Sequence, residues 1–439
     1  MKTRSDHLPS LLSALLFIPG GLLLLGIAFV MAVTALASLF TGGPVQPQQT
    51  IFAAGYTFTG SLLFVAAFFV LQKYLRKPAA DRVVSGTLRT GQILLLVLLA
   101  SACLLIGYWI GAQESLNWLV LPVLTVPAIV LPLGILLALG ARRLPFGERW
   151  QTWSILGLAM TLGPLLLLAL EIVAALFVFA GAVGYVLTRP DLILELQRLS
   201  DQFMILGPQP DMEAAVELLS PLLTRPAVIG TTLLYIAVLV PAIEEVFKPI
   251  GVWLFARRID SAAQGFALGA LSGAGYALVE TVGVSGQPAG DWAGLLASRV
   301  GTGLLHITTS ALMGAAIVLA WRERRYLRLL GTYLLAVLLH GLWNALAVLF
   351  TFSTLGEFLD EPGRIAEWQT PATVAMVSLA AALFVILILS NRRLRAKEEP
   401  PRDASLPPEE IEADRVRAMS VTAARRALPR VRASSVRCA

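Results

Sequence analysis

The sequence predicts an all-α protein, a polytopic transmembrane helical bundle of about ten spans with both termini cytoplasmic. Three observations carry that expectation. Hydrophobic residues make up 57% of the 439 positions and charged residues only 14%, against roughly 25% charged in an ordinary soluble domain. The apolar residues fall in runs long enough to cross a bilayer as helices, where every backbone group can be satisfied internally. Basic residues gather in every second loop. A soluble globular enzyme, a disordered chain and a disulfide-stapled secreted domain are excluded. Cys103 and Cys438, the two cysteines, cannot build a disulfide framework or a cysteine-based metal site.

Ten apolar segments are spans by length, at roughly 11–40, 51–72, 92–112, 118–140, 152–188, 227–256, 262–284, 294–320, 329–352 and 371–391. The longer ones predict tilt or kinks, and Pro132, Pro164, Pro241 and Pro249 are the internal kink candidates. The first run is too long for the core of a secretory signal and is expected to be retained. Lys2 and Arg4 precede it. The 73–91 loop carries Lys73, Arg76, Lys77, Arg82 and Arg89, and Arg142, Arg143 and Arg149 follow the fourth span. Arg257 and Arg258 follow the sixth, and Arg322, Arg324, Arg325 and Arg328 the eighth. The intervening loops are neutral or acidic, with Glu114, Asp291 and the group Glu357, Asp360, Glu361 and Glu367. Asp211 to Leu219, in the long 189–226 loop, reads as a short amphipathic helix at the membrane interface that limits entry.

The net charge of +6 is mostly a tail property: residues 392–439 hold 12 basic and 7 acidic groups. It is therefore weak support for a nucleic-acid partner, and none is expected. The tail lacks the apolar content for a core. It reads as a solvated terminus, or alternatively as a polybasic segment resting on anionic headgroups.

Ionisable residues at membrane depth are costly and usually functional. They are concentrated here. The first four spans hold almost none, and the fifth has Glu171, an acid without an assigned role. The sixth to ninth hold Glu244, Glu245, Lys248, Glu280, Arg299, His306 and His340. Helix rise puts His306 about 18 Å into its span, level with Glu244, Glu245 and His340, with Glu280 about two turns above. Lys248 is four residues from Glu244 and three from Glu245, so it reaches either acid. It cannot neutralise both. Gly265, Gly269, Gly273 and Ala277 form a small-residue stripe for close helix packing. Arg299 either snorkels or shares the His306 face. Asn344, one turn after His340, is placed to orient that imidazole or to donate to an oxyanion.

Paired carboxylates near a lysine suit a general base that activates water, and an imidazole with an amide suits stabilisation of a tetrahedral intermediate. The same groups suit Zn²⁺, with Glu245, His306 and His340 as ligands, though no HExxH motif is present. Proton relays in a proton- or ion-coupled transporter use these residue types too. A non-catalytic scaffold of the same fold is the third alternative.

The order Glu244-Glu245-x-x-Lys248, Tyr276-x-x-x-Glu280, Arg299 ahead of His306, then His340-x-x-Trp343-Asn344 resembles the PrsW family of intramembrane proteases. More distantly it is similar to the CAAX-protease and bacteriocin-processing families. The resemblance spans roughly residues 225–350. It implies that Glu244 and Glu245 activate water, that His306 and His340 are catalytic, and that Lys248, Glu280, Asn344 and Arg299 support them. Thr281 departs from the asparagine expected after the acid. The implied reaction is cleavage of a membrane-tethered protein, such as an anti-sigma factor, in regulated signalling at the cell membrane. The expected organisation is a five-span region over 1–188, an extracytoplasmic loop over 189–226 and a four-span catalytic core over 227–352. An outer loop with the last span follows over 353–391, and the basic tail over 392–439.

Overall fold

The computed structural model describes residues 8–75, 88–207, 212–286, 292–356 and 366–398. The charges expected at Lys2, Arg4, Arg76, Lys77, Arg82, Asp211, Asp291, Glu357, Asp360 and Glu361, and the tail from residue 399 onward, lie outside these residues. The helices up to Arg395 form one body. From Ala396 onward only the end of the last helix is described.

Among the described residues the chain is helical throughout, and ten segments are long and apolar enough to cross a membrane. The protein is a multi-pass membrane protein. Helices α1 (Leu8–Phe40), α2 (Pro47–Tyr74), α3 (Thr90–Gly111) and α4 (Glu114–Gly140) make the first four spans. The fifth is broken into α5 (Arg149–Met160) and α6 (Leu162–Leu187). The break falls at Thr161, with φ −126° and ψ −76°, three residues before Pro164. This is the expected effect of a ring that clashes with the preceding turn.

The 189–226 stretch holds two helices, α7 (Pro190–Leu206) and α8 (Met212–Leu223). The expected amphipathic segment corresponds to α8; α7 had no counterpart in the sequence reading. Pro190 opens α7, and Gly207 closes it with φ 86°, a left-handed position that glycine adopts without penalty.

The sixth span is the most interrupted. It runs as α9 (Pro226–Leu234), a π-helical turn (Tyr235–Leu239), α10 (Val240–Phe247), α11 (Ile250–Phe255) and a final 3₁₀ turn (Ala256–Arg258). Both expected kink prolines sit at its joints. In the π register the Val240 N–H bonds the Tyr235 carbonyl. The Ile236 carbonyl then needs the N–H of residue 241, and Pro241 has none. Pro249 similarly divides α10 from α11.

Helices α12 (Ala262–Val284), α13 (Trp292–Glu323), α14 (Tyr326–Gly356) and α15 (Gln369–Glu398) complete the bundle. Ser261 caps α12 by accepting from the Gln264 N–H at 3.2 Å. The α12–α13 pair is the buried centre, and the glycine stripe explains why. A side chain added at Gly265, Gly269 or Gly273 would run into the backbone carbonyls of Gly314, Ser310 and His306 respectively. The two backbones therefore touch, as small-residue stripes permit in lipid. On the flank of this pair the fully buried Trp292 ring lies against Gly107 and donates to Thr125 Oγ1 at 3.1 Å. Exposed Leu, Val and Phe on α1, α3 and α6 face what is, for a membrane protein, lipid.

Candidate functional site

The interruptions of the sixth span present its two acids. α10 stops before Pro249; the Val252 N–H turns to the Pro249 carbonyl at 2.8 Å, and the Lys248 carbonyl accepts the Ser272 hydroxyl at 2.6 Å. Asn344 Nδ2 donates to the Ile236 carbonyl at 2.9 Å, and the Tyr333 hydroxyl donates to the Ala242 carbonyl at 2.8 Å. The π turn and α10 are thus pinned to α14 on one side and α12 on the other.

Within this frame Lys248 is fully buried, with its Nζ at the centre of four groups. It lies 2.7 Å from Glu244 Oε2, 3.0 Å from Glu245 Oε1, 2.7 Å from His306 Nδ1 and 3.1 Å from His340 Nδ1. The Tyr276 ring centroid is 5.3 Å away and packs edge-on against His306. Each imidazole is also backed by a carboxylate. His306 Nε2 is 2.7 Å from Glu280 Oε2, and His340 Nδ1 is 2.9 Å from Glu245 Oε1. Glu280 bonds Arg299 Nη2 at 2.7 Å, and Arg299 Nε donates to Thr281 Oγ1 at 3.3 Å.

A donor count assigns the protons. An ammonium has three N–H groups and no acceptor. One goes to Glu245 Oε1 and one to His306 Nδ1, while Glu244 Oε2 sits at 2.7 Å as an ion-pair partner. The His306 Nε2–H then donates to Glu280, and the His340 Nδ1–H donates to Glu245. This leaves His340 Nε2 with a free lone pair, 3.8 Å from Glu244 Oε2.

Glu244, His306 and His340 each offer one ligand atom, all within 4.8 Å of one another. The donor chemistry fits Zn²⁺: two imidazoles whose second nitrogens are fixed by carboxylates, plus one carboxylate. Among the described residues, Glu244, Glu245 and Glu280 face Lys248 and Arg299, so with neutral imidazoles the cluster has room for a further positive charge. The sequence reading placed Glu245 in the metal set; the structure places Glu244 there instead. Glu245 has no exposure, and its Oε1 is engaged by Lys248 and His340.

Beside these groups lies a cavity of about 880 Å³, lined among others by Glu244, Glu280, Arg299, His340 and Asn344. Met376 of α15 contributes to its wall, so the lining extends beyond residues 227–352. The sequence model of the PrsW family intramembrane metalloproteases matches residues 169–388. The chain belongs to the PrsW family. No curated protein and no solved structure matches it. The PrsW match begins in the fifth span and ends in the tenth, well beyond the motif-bearing spans.

The register of α12 on α13, with Gly273 against the His306 carbonyl and Ala277 against Gly303, keeps the Glu280 backbone about two turns above His306. Side-chain reach closes that gap: Glu280 bonds His306 directly and bridges it to Arg299. One expectation needs correction. Asn344 does not orient His340; its amide serves the carbonyl that Pro241 leaves unpaired, and Glu245 orients the imidazole. Arg299 is half of an ion pair and does not merely snorkel. Glu171 is tied in through its backbone carbonyl, which accepts the Tyr235 hydroxyl at 3.0 Å. Sequence reasoning gave Ser272 no role, although Ser272, Tyr276 and Glu280 share one face of α12 at successive i+4 positions.

Proposed function

We propose that this PrsW-family chain is an intramembrane endopeptidase that hydrolyses a peptide bond of a membrane-tethered protein in regulated signalling. The observation that carries the reading is the buried Glu244, His306 and His340 cluster beside a cavity of about 880 Å³ that Glu244 and His340 line. Loop charges support both termini on the cytoplasmic side and α7 and α8 on the other.

The cavity receives an unwound stretch of substrate and keeps bulk water from it. One carboxylate oxygen of Glu244 would be available to hold a cation, and the other takes a proton from the attacking water. The water oxygen bonds the scissile carbon, and the carbonyl becomes an oxyanion. Arg299, on the cavity wall, is the positive group available to that charge. The C–N bond then breaks, and Glu244 returns its proton to the leaving amine. Glu245 and Glu280 hold His340 and His306 at fixed tautomers throughout. A divalent ion such as Zn²⁺, held by Glu244, His306 and His340, supplies Lewis acidity that makes water more acidic and polarises the carbonyl.

The test is cleavage of a membrane-tethered reporter by the full chain in proteoliposomes. Glu244→Gln is expected to lower the rate by about 10²–10⁴-fold, the usual worth of a positioned base. Chelation is expected to abolish cleavage, and Zn²⁺ to restore it. Full activity in Glu244→Gln refutes the mechanism.

A further inference from the structure

The centre of the site is already filled by a cation that belongs to the chain. Four donors from three helices lie within 3.1 Å of the Lys248 ammonium. One of them, His306 Nδ1, is an atom the candidate metal set must use, and Glu244 supplies that set with one of its two oxygens. His306 has no other nitrogen to offer, because Nε2 is held by Glu280 at 2.7 Å. A lone pair serves one partner at a time, and two cations at contact distance in a buried site repel strongly.

We propose that the Lys248 ammonium and a divalent ion are alternative occupants of this donor set. Lys248 is a tethered cation that keeps the site assembled until an ion displaces it. The inference rests on the metal-assisted reading above and adds the event that precedes catalysis.

The surroundings suit a side chain that moves while its backbone stays. The Lys248 carbonyl is held by the Ser272 hydroxyl at 2.6 Å, and its N–H by the Glu244 carbonyl at 2.8 Å. Only the flexible four-carbon stem is free to swing. The face of Tyr276, 5.3 Å from Nζ, is the nearest alternative partner, since aromatic faces attract ammonium groups within about 6 Å. The device has two consequences. Without an ion, Glu244 and Glu245 still have a cation between them, so the bundle keeps its acids buried. With an ion, the binding energy of the site is reduced by what it takes to expel the lysine, and weakly bound ions fail to open it.

The experiment uses the full chain in detergent, stripped with a chelator and titrated with Zn²⁺ alone. Bound zinc is measured by equilibrium dialysis with elemental analysis. Lysine exposure is measured by acetylation with an amine-reactive reagent and peptide mass spectrometry. The assignment is clean, because Lys248 is the only lysine between Lys77 and Lys397. The expected result is a protected Lys248 in the stripped protein, at least tenfold more labelling at one zinc per chain, and unchanged labelling of Lys73. Lys248→Met is expected to bind zinc at least tenfold more tightly than the parent. Zinc that binds at one per chain and is lost in His306→Gln, while Lys248 stays protected, overturns the proposal and leaves the metal reading standing. A Lys248→Met that binds zinc no more tightly also overturns it. Should that variant fail to fold, labelling of the parent decides alone. Absence of zinc binding in both proteins overturns the metal reading and the proposal together.

Discussion

Asn344 gives the sharpest test of how the sixth span is held. The sequence offers it as an oxyanion donor or an orienter of His340. In the structure its amide meets the Ile236 carbonyl at 2.9 Å, and that carbonyl is orphaned because its π-register partner is Pro241. Asn344→Leu removes the donor and leaves a partly buried acceptor unpaired beside the cavity. A fully buried one costs about 1–3 kcal/mol, while hydrogen bonds between membrane helices average nearer ~0.6 kcal/mol. A loss of about 1–2 kcal/mol is expected, with reduced cleavage as α10 loses its footing. Pro241→Ala supplies an N–H to the same carbonyl without changing the register. In that background Asn344→Leu should cost at least about 1 kcal/mol less, a coupling of the size seen for neighbouring groups, and cleavage should partly return. The assay is unfolding of the purified protein by sodium dodecyl sulfate in mixed micelles, run on all four members of the cycle, beside reporter cleavage. Equal cost in both backgrounds, with no recovery of activity, would refute the positioning argument and favour direct contact with the oxyanion.

Glu280→Gln weakens the hold on both His306 and Arg299. It should lower cleavage about 10–100-fold, the usual effect of losing a carboxylate behind a ligating histidine, and a parent-like rate would count against that role. Gly273→Ala pushes a methyl toward the His306 carbonyl. Overpacking of this kind costs about 1–3 kcal/mol, readable as an earlier unfolding midpoint, whereas the same change at Gly283, where nothing lies within 4 Å, should be neutral. At the start of α7 the Arg189 guanidinium holds the Asp191 carboxyl below its ordinary value through paired hydrogen bonds. Because the folded pKa is the lower one, any stabilisation is present above the ordinary carboxylate range and is lost as pH falls through the folded value. Asp191→Asn should therefore separate from the parent near neutral pH and converge with it in strong acid; a gap that widens on acidification would reverse the sign.

The spans were legible because hydrophobic run length is a direct physical requirement of the bilayer. The glycine stripe was legible for a similar reason, since four small residues at i+4 spacing leave one helix face without bulk. Less was legible where the outcome depends on which backbone group lacks a partner. Pro241 marks a kink in the sequence, but a π turn ahead of it, and hence the need for Asn344, follows only once the register is known. Helix α7 was read as loop because its apolar residues share one face among several charges, a pattern that a span-length search passes over. Thr281 stood out as a departure from the family motif and turns out to receive a hydrogen bond from Arg299, which ties Glu280's partner to the next residue on α12.

The placement of Glu244 and Glu245 shows why the sequence pointed to Glu245 where the structure sets Glu244 beside the two histidines. Successive residues on a helix point about 100° apart, at 3.6 residues per turn, so the two neighbouring acids share Lys248 but otherwise turn toward different surroundings. One composition then serves two environments. Glu244 keeps a little exposure and borders the cavity. Glu245 has none and turns toward α14, where it meets His340 Nδ1 at 2.9 Å. The π turn just upstream, with Pro241 at its end and the hydrogen bonds from Asn344 and Tyr333 to its carbonyl and that of α10, is what holds the segment that carries both acids.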